Sequence, residues 1–250
     1  MGVCVMLKIE NLSASYGKKG VIFDLSCELR RGAFTAIVGR NGSGKSSLLS
    51  CICGIKDYSG KILLDGREIS SIPSRERAKM LSYLPQSLPI TRFSVRETVA
   101  FGREPYISFK PTENDIEIVE QSIEKCGISH LKDKKLTEIS GGERQMAYLA
   151  MTLAQNADLL LLDEPTTYMD APHARGFLDI LREAASDGKA VAAVMHDLTQ
   201  AVKYADDILL IDGGRVVFCG KKEDCLAIGA IERVMGVEGH RLEDGTVVFI

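Results

Sequence analysis

Hydrophobic residues recur along the chain with two different periods, and together these periods predict alternating strands and helices. Every second residue from Val21 to Leu29 is apolar, which is typical of a half-buried strand. Nearly continuous apolar segments instead predict strands buried on both faces. These segments are Ala33–Val38, Leu159–Leu162, Ala190–Met195 and Ile208–Ile211. Two further strands are predicted beside turns, Lys61–Leu64 before Asp65-Gly66 and Arg215–Cys219 after Asp212-Gly213-Gly214.

Helical spacing appears between and after these strands. Ile116, Val119 and Ile123 lie on one helical face, and Thr112 with Asp115 resembles a capping box at the start of that helix. Gly127 is expected to end it. The other predicted helices are Lys45 to about Cys53, the segment after Ser140 that carries Met146, Leu149 and Leu153, Ala171–Ala185, and Leu198–Tyr204.

The order of these elements predicts an α/β fold. Strands that alternate with helices form a parallel sheet with helices on both faces. Residues 94–156 contain only helical patterns, so this block is expected to be an insertion into the α/β core. The 250 residues are expected to form a single domain, with residues 1–86 and 157–250 in the core and residues 87–156 in a helical subdomain.

Composition and charge argue against several classes of function. The net charge is −3 and no block of Lys or Arg stands out, which argues against nucleic acid as a partner. No segment approaches the roughly 20 apolar residues of a membrane span. The apolar start Met1–Leu7 lacks a basic region and a cleavage site, so no signal peptide is expected. The seven cysteines include no C-x-x-C pair, and buried, reduced thiols are expected.

A glycine-rich loop carries the strongest chemical signal. Gly39–Ser46 fits the pattern G-x-x-x-x-G-K-[ST] between a predicted buried strand and a helix. Such a loop points backbone N–H groups at a phosphate, Lys45 adds a charge for the β- and γ-phosphates, and the Ser46 hydroxyl is a ligand for Mg²⁺. The alternative is a glycine-rich turn that matches by accident. The residues expected to contact ATP here are Gly39, Asn41, Gly42, Ser43, Gly44, Lys45, Ser46 and Ser47.

Two acids end the buried strand Leu159–Leu162. The carboxyl end of a parallel strand faces the ligand crevice. Asp163 is therefore expected to bind Mg²⁺, and Glu164 to act as the general base for water. The alternative is an ordinary strand that runs into a polar loop.

The order of these motifs resembles the ABC ATPase family over nearly the whole chain. Ser140-Gly141-Gly142-Glu143 resembles the family signature, with Glu143 where glutamine is usual. In the family this loop contacts the γ-phosphate that a second subunit binds, so the resemblance implies an ATP-dependent dimer. It also implies a RecA-like P-loop NTPase core, an N-terminal antiparallel β subdomain and an inserted helical signature subdomain.

Other positions gain roles from the same resemblance. Gln86 resembles the glutamine that senses Mg²⁺ and the attacking water, and His196 resembles the switch histidine that contacts the γ-phosphate. Asp170 resembles the aspartate that communicates across the dimer. Tyr16 resembles the aromatic residue that stacks on adenine. Taken alone, each of these residues has an ordinary structural interpretation.

Two segments, 94–106 and Thr166–Asp170, resemble ATPases of bacterial importers for iron chelates, most closely for ferric siderophores, with haem and cobalamin importers as relatives. The partners implied are a second copy of the chain, a polytopic membrane permease and an extracytoplasmic substrate-binding protein. The implied location is the cytoplasmic face of the membrane. The alternatives are an importer ATPase for another substrate, a soluble ABC ATPase of iron–sulphur cluster assembly, and a module that binds ATP without turnover.

Segment 94–106 mixes apolar residues with charged ones, as a transient interface does. It is expected to face the permease, so that substitutions at Arg103 and Tyr106 uncouple transport and leave hydrolysis intact. The alternative is a helix and loop packed on their own subdomain.

Overall fold

The computed structural model describes residues 4–17, 19–167 and 169–250. Met1–Val3 of the apolar start and Tyr168 of the Thr166–Asp170 segment lie outside the described residues. The first part of the chain forms an antiparallel sheet with strand order β2-β1-β4-β5. Its strands are β1 (Val5–Tyr16), β2 (Lys19–Arg30), β4 (Ser59–Leu64) and β5 (Arg67–Glu68).

A six-stranded sheet forms the centre of the molecule, with strand order β10-β9-β3-β8-β7-β6. Its strands are β3 (Phe34–Val38), β6 (Leu81–Leu84), β7 (Leu159–Asp163), β8 (Ala190–Val194), β9 (Asp207–Asp212) and β10 (Arg215–Lys221). The neighbours among β6, β7, β8, β3 and β9 pair in parallel, and β10 pairs antiparallel with β9. Because the parallel strands all point the same way, their carboxyl ends meet at one edge of the sheet.

Helices cover both faces of this sheet. They are α1 (Lys45–Ile52), α2 (Ser74–Met80), α3 (Val95–Ala100), α4 (Glu113–Lys125), α5 (Gly141–Ala154), α6 (Ala171–Ser186), α7 (Leu198–Tyr204), α8 (Lys222–Ala227) and α9 (Ala230–Met235). A short hairpin, β11 (Gly239–Arg241) and β12 (Val247–Phe249), follows α9 and packs on α7. In the described parts of the chain, no helix has both the length and the apolar character needed to cross a bilayer.

The central sheet separates two hydrophobic clusters. Along β7, Leu160 and Leu162 pack into the cluster that also contains helices α3 to α6. Leu159 and Leu161 pack into the other cluster, beneath α1 and the antiparallel sheet. Both faces of the strand are therefore buried, which explains its unbroken apolar sequence.

Residues 94–154 form the helical block. Its three longer helices each begin with a capping box, at Ser94, Thr112 and Ser140, in which the side chain accepts from the third residue of the helix. The capping box predicted at Thr112 and Asp115 is thus confirmed. Each box satisfies backbone N–H groups that have no partner within the helix.

The expectation that Arg103 of segment 94–106 faces the permease is wrong, because its side chain is buried. Arg103 is 4% exposed, and its guanidinium donates to Asp115 Oδ1 at 2.9 Å and to the Ala154 carbonyl at 2.8 Å. Val95 and Val99 are also buried. The exposed residues of the segment are Glu97, Phe101 and Glu104, and the Phe101 ring meets that of Phe93 edge-on with centroids 5.2 Å apart.

The predicted strands and helices are found close to their expected positions, while several elements were missed. The structure adds elements that were not predicted, namely β1, β5, β6, α2, α8, α9 and the hairpin β11–β12. β1 was missed because β-bulges interrupt its alternation, with register shifts near Leu12. The seven cysteines are all free thiols, yet only four are buried, and Cys4 and Cys219 are exposed, contrary to expectation.

Candidate functional site

The phosphate-binding loop lies between the buried strand β3 and helix α1. Gly39, Gly42 and Gly44 all have positive φ, at 151°, 76° and 104°, a region that side chains rarely adopt. A Cβ added at Gly39 would lie 2.0 Å from the Ile211 carbonyl oxygen, so only glycine fits there. Gly214 stabilises the loop, because its N–H donates to the Ser43 carbonyl at 3.1 Å.

Lys45 closes the loop from within. Its side chain is buried, and its Nζ donates to the carbonyls of Gly39 at 2.7 Å and Arg40 at 3.0 Å. Burial lowers the pKa of Lys45, while the charges of Glu164 and Asp163 oppose that shift. A cation held inside a ring of backbone groups is suited to an anionic ligand.

An open cavity of about 490 Å³ extends from this loop. Among the residues predicted to contact ATP, those that line it are Tyr16, Asn41, Gly42, Gly44, Lys45, Ser46 and Ser47. Six further lining residues were missed from the sequence, namely Lys19, Gly20, Val21, Phe23, Gly213 and Gly214. The Asp212-Gly213-Gly214 turn was recognised only as a turn, because nothing local reveals that it contacts the loop.

Asp163 and Ser46 form a pair of hard oxygen donors beside the loop. The Ser46 hydroxyl donates to Asp163 Oδ1 at 3.0 Å, and Asp163 is 4% exposed. Burial raises the pKa of Asp163, and the hydrogen bond from Ser46 opposes that shift. A hydroxyl and a carboxylate next to a phosphate site are the donor types that Mg²⁺ uses. These residues therefore fit a magnesium ion.

Glu164 lies at the centre of a three-residue cluster. The Gln86 side-chain N–H donates to Glu164 Oε2 at 2.5 Å, and His196 Nε2 lies 2.5 Å from Oε1. The three residues follow the neighbouring parallel strands β6, β7 and β8, which is why they meet. Glu164 has φ of 50°, unusual for a residue with a side chain, and it also lines the cavity.

The predicted signature loop lies outside the cavity of the phosphate loop, and its Gly141 lines a second cavity together with Gln86. Ser140 caps α5, and its N–H donates to Glu143 Oε2 at 2.7 Å, which lowers the pKa of Glu143. Among the described residues that line the cavity of the phosphate loop, none comes from Ser140–Gly142. Within a single chain the phosphate loop and the signature loop therefore do not line the same cavity, although the family resemblance assigns both of them to one ATP.

Asp170 lies beside that signature loop. Its carboxylate caps α6 by accepting from the His173 N–H at 3.0 Å, and this bond lowers the pKa of Asp170. The His173 Nδ1 lies 2.6 Å from the same carboxylate, and its ring would lie 3.7 Å from a Cβ added at Gly142. His173, which was missed from the sequence, thus connects the Asp170 loop with the signature loop.

Comparisons with known proteins identify the family of this chain. The family model for ABC transporters matches residues 22–167. The petrobactin import ATP-binding protein YclP of Bacillus subtilis is 35% identical over 92% of both chains. The hemin import ATP-binding protein HmuV of Pseudomonas aeruginosa is 38% identical over 93% of both chains. The ferric enterobactin transport ATP-binding protein FepC of Escherichia coli is 37% identical over 95% of this chain and 90% of its own.

Solved structures show the same fold. An ABC transporter described as metal-chelate type, in an inward-facing conformation, superposes with a TM-score of 0.83 and 26% identity over 98% of this chain and 97% of that one. The ADP conformation of an ATP-binding cassette gives the same TM-score with 22% identity, over 93% of this chain and 97% of that one.

Proposed function

This chain belongs to the ABC transporter family as an ATP-hydrolysing subunit, and we propose that it drives the import of an iron chelate, with a ferric siderophore as the favoured cargo. The observation that best supports ATP hydrolysis is the position of Glu164 between Gln86 and His196 beside the phosphate loop. The cargo class rests on relatives named for petrobactin, hemin and ferric enterobactin.

ATP binds in the cavity with its phosphates on the Gly39–Ser46 loop. The N–H groups of the loop and the start of α1 hold the phosphates, and Lys45 supplies the positive charge. Tyr16 stacks on the adenine. Ser46, Asp163 and Gln86 would hold a magnesium ion, which would supply positive charge to the phosphates of the nucleotide.

Glu164 accepts a proton from the attacking water. The water oxygen attacks the γ-phosphorus, the bond to the β–γ bridging oxygen breaks, and ADP and inorganic phosphate leave. His196 and Gln86 hold the Glu164 carboxylate from both sides, which fixes the direction in which it accepts the proton. We also assign His196 a contact with the γ-phosphate, as the family resemblance implies.

Two copies of the chain are required for a complete site. We assign the Ser140–Gly142 loop and Asp170 of one copy to the nucleotide on the phosphate loop of the other, as the family resemblance implies, and neither lines the cavity of its own chain. An ABC transporter subunit also acts on a membrane permease. We place the pair of ATPase chains at the cytoplasmic face of the membrane. An extracytoplasmic binding protein delivers cargo to the permease from the opposite side.

The substitution Glu164→Gln tests the mechanism. Glutamine keeps the size of the side chain but lacks the basicity, so we expect turnover to fall by about 10²–10⁴-fold while ATP still binds. Size-exclusion chromatography should then show a dimer that persists with ATP. Glu183→Gln, at an exposed acid on α6 paired with Lys125, is the matched control and should behave like the unmodified chain. Normal hydrolysis by Glu164→Gln would exclude Glu164 as the base.

The cargo needs a separate assay. Membrane vesicles that contain the permease and this chain should take up ⁵⁵Fe-labelled siderophore only with hydrolysable ATP. Vesicles with the Glu164→Gln chain should not take it up. Labelled haem and cobalamin are tested in parallel. Uptake of haem or cobalamin with none of siderophore would reassign the cargo and leave the ATPase mechanism intact.

A further inference from the structure

The ring of Tyr16 borders the nucleotide cavity and has a cation over one of its faces. Lys56 Nζ lies 2.9 Å from the centroid of the ring and donates to the neighbouring Ser15 carbonyl at 2.9 Å. Tyr16 is 60% exposed and lines the cavity, whereas Lys56 is half-buried and does not line it. The ammonium therefore covers one face of the ring, while most of the Tyr16 side chain stays exposed beside the cavity.

The position of Lys56 is fixed by the same helix that carries the phosphate loop. Helix α1 begins at Lys45 and ends at Ile52. The chain then turns back through Gly54, at φ of 72°, and the N–H groups of Ile55 and Lys56 both bond to the Ser50 carbonyl, at 2.9 Å and 3.2 Å. One short helix thus sets the spacing between the phosphate site and the cation behind Tyr16.

We propose that Lys56 is a positioning residue for the nucleotide base, acting through Tyr16. An exposed aromatic side chain at the end of a strand samples several rotamers, and ordering it on binding costs free energy. A cation over one face holds the ring by its quadrupole and leaves the other face open. The open face then stacks on the purine without first having to be ordered. The proposal rests on the role of Tyr16 in the proposed function.

Calorimetric titration of the purified chain tests this role with two ligands that differ only in the nucleoside. Lys56→Met keeps an unbranched side chain, one atom shorter, and removes the charge together with the bond to the Ser15 carbonyl. We expect it to weaken MgADP binding by about three- to tenfold, the size of a partly exposed cation–π contact. Binding of magnesium pyrophosphate should stay within twofold, because pyrophosphate has no base to stack.

Three further variants make the test specific. Lys56→Arg keeps a cation over the ring, so its MgADP affinity should stay within twofold of the unmodified chain. Lys61→Met, at an exposed lysine on β4, is the matched control and should change neither affinity. In a Tyr16→Ala chain, which lacks the ring, Lys56→Met should cause no further loss of MgADP affinity.

The outcomes separate this inference from the assignment of the site. If the unmodified chain binds neither MgADP nor pyrophosphate, the nucleotide site itself is wrong and the inference falls with it. If it binds both but Lys56→Met weakens them equally, Lys56 merely supports the fold of the loop. Unchanged or tighter MgADP binding by Lys56→Met would mean that Lys56 does not position the base, or that it competes with the base for the ring.

Discussion

The buried ion pair of the helical block gives a stability prediction that its sequence pattern did not. Arg103→Met removes the guanidinium that donates to Asp115 and to the Ala154 carbonyl. It also removes the stacking on Tyr106, whose ring centroid lies 3.9 Å from the guanidinium carbon. Asp115 remains buried, with its side chain only 7% exposed, and so a carboxylate is left without its counter-charge.

The magnitude follows from that uncompensated charge. Removing one partner of a buried ion pair costs about 3–5 kcal/mol of unfolding free energy. Asp115 still accepts from the N–H and the hydroxyl of Thr112, so we expect the lower end, about 3 kcal/mol. For a chain of this size that loss lowers the melting temperature by roughly 6–12 °C.

Arg96→Met provides the control within the same block. Arg96 pairs with Glu120 at 2.8 Å, but the two side chains are 41% and 35% exposed. A surface ion pair contributes about 0–1 kcal/mol, so this variant should melt within about 4 °C of the unmodified chain. Calorimetric melting at pH 7 compares the two variants. If both melt alike, and Arg103→Met hydrolyses ATP normally but fails to drive transport, Arg103 belongs to the permease interface and the reasoning here is refuted.

The same pair predicts a pH dependence. The hydroxyl of Thr112, its N–H and then Arg103 lower the pKa of Asp115 from 3.8 to about 2. Because the folded pKa is below the unfolded value, this stabilisation is fully present above about pH 4 and is lost as the pH falls toward 2. Arg103→Met should lose part of that acid-dependent stability, so its unfolding free energy should approach that of the unmodified chain as the pH falls from about 4 toward 2. If the difference in unfolding free energy between the two proteins stays constant over this range, the assignment is contradicted.

Three further substitutions test the site and its surroundings. Lys45→Ala should weaken ATP binding by roughly 10- to 100-fold and abolish turnover, because a charge-assisted contact is lost; equilibrium titration that finds unmodified affinity would overturn the phosphate-loop assignment. Glu143→Gln should change turnover less than tenfold, because the amide oxygen also accepts from the Ser140 N–H, and a complete loss of hydrolysis would reveal a further role. Phe101→Ser, on the exposed part of segment 94–106, should reduce co-purification with the permease while basal hydrolysis persists, whereas joint loss of both would make the ring structural.

Features that depend on a few neighbouring residues were determined by the sequence alone. The phosphate loop needs glycines at fixed positions before a lysine, and the capping boxes at Thr112 and Ser140 use bonds between residues three apart. The buried strands could be predicted from unbroken apolar segments, because a strand that is covered on both faces has few positions for polar residues. These local rules also sufficed to predict the α/β class.

Tertiary structure alone decided which distant residues meet. Gln86 and Glu164 are 78 positions apart, and they touch because β6 and β7 are neighbours in the sheet, an order that the chain does not spell out. The sequence marked Arg103 as a surface charge, and only packing against α4 and α5 placed it beside Asp115. Lys56 behind Tyr16 likewise had no local sign. Contacts of this kind arise from strand order and from burial, and both are properties of the packed chain as a whole rather than of any short segment.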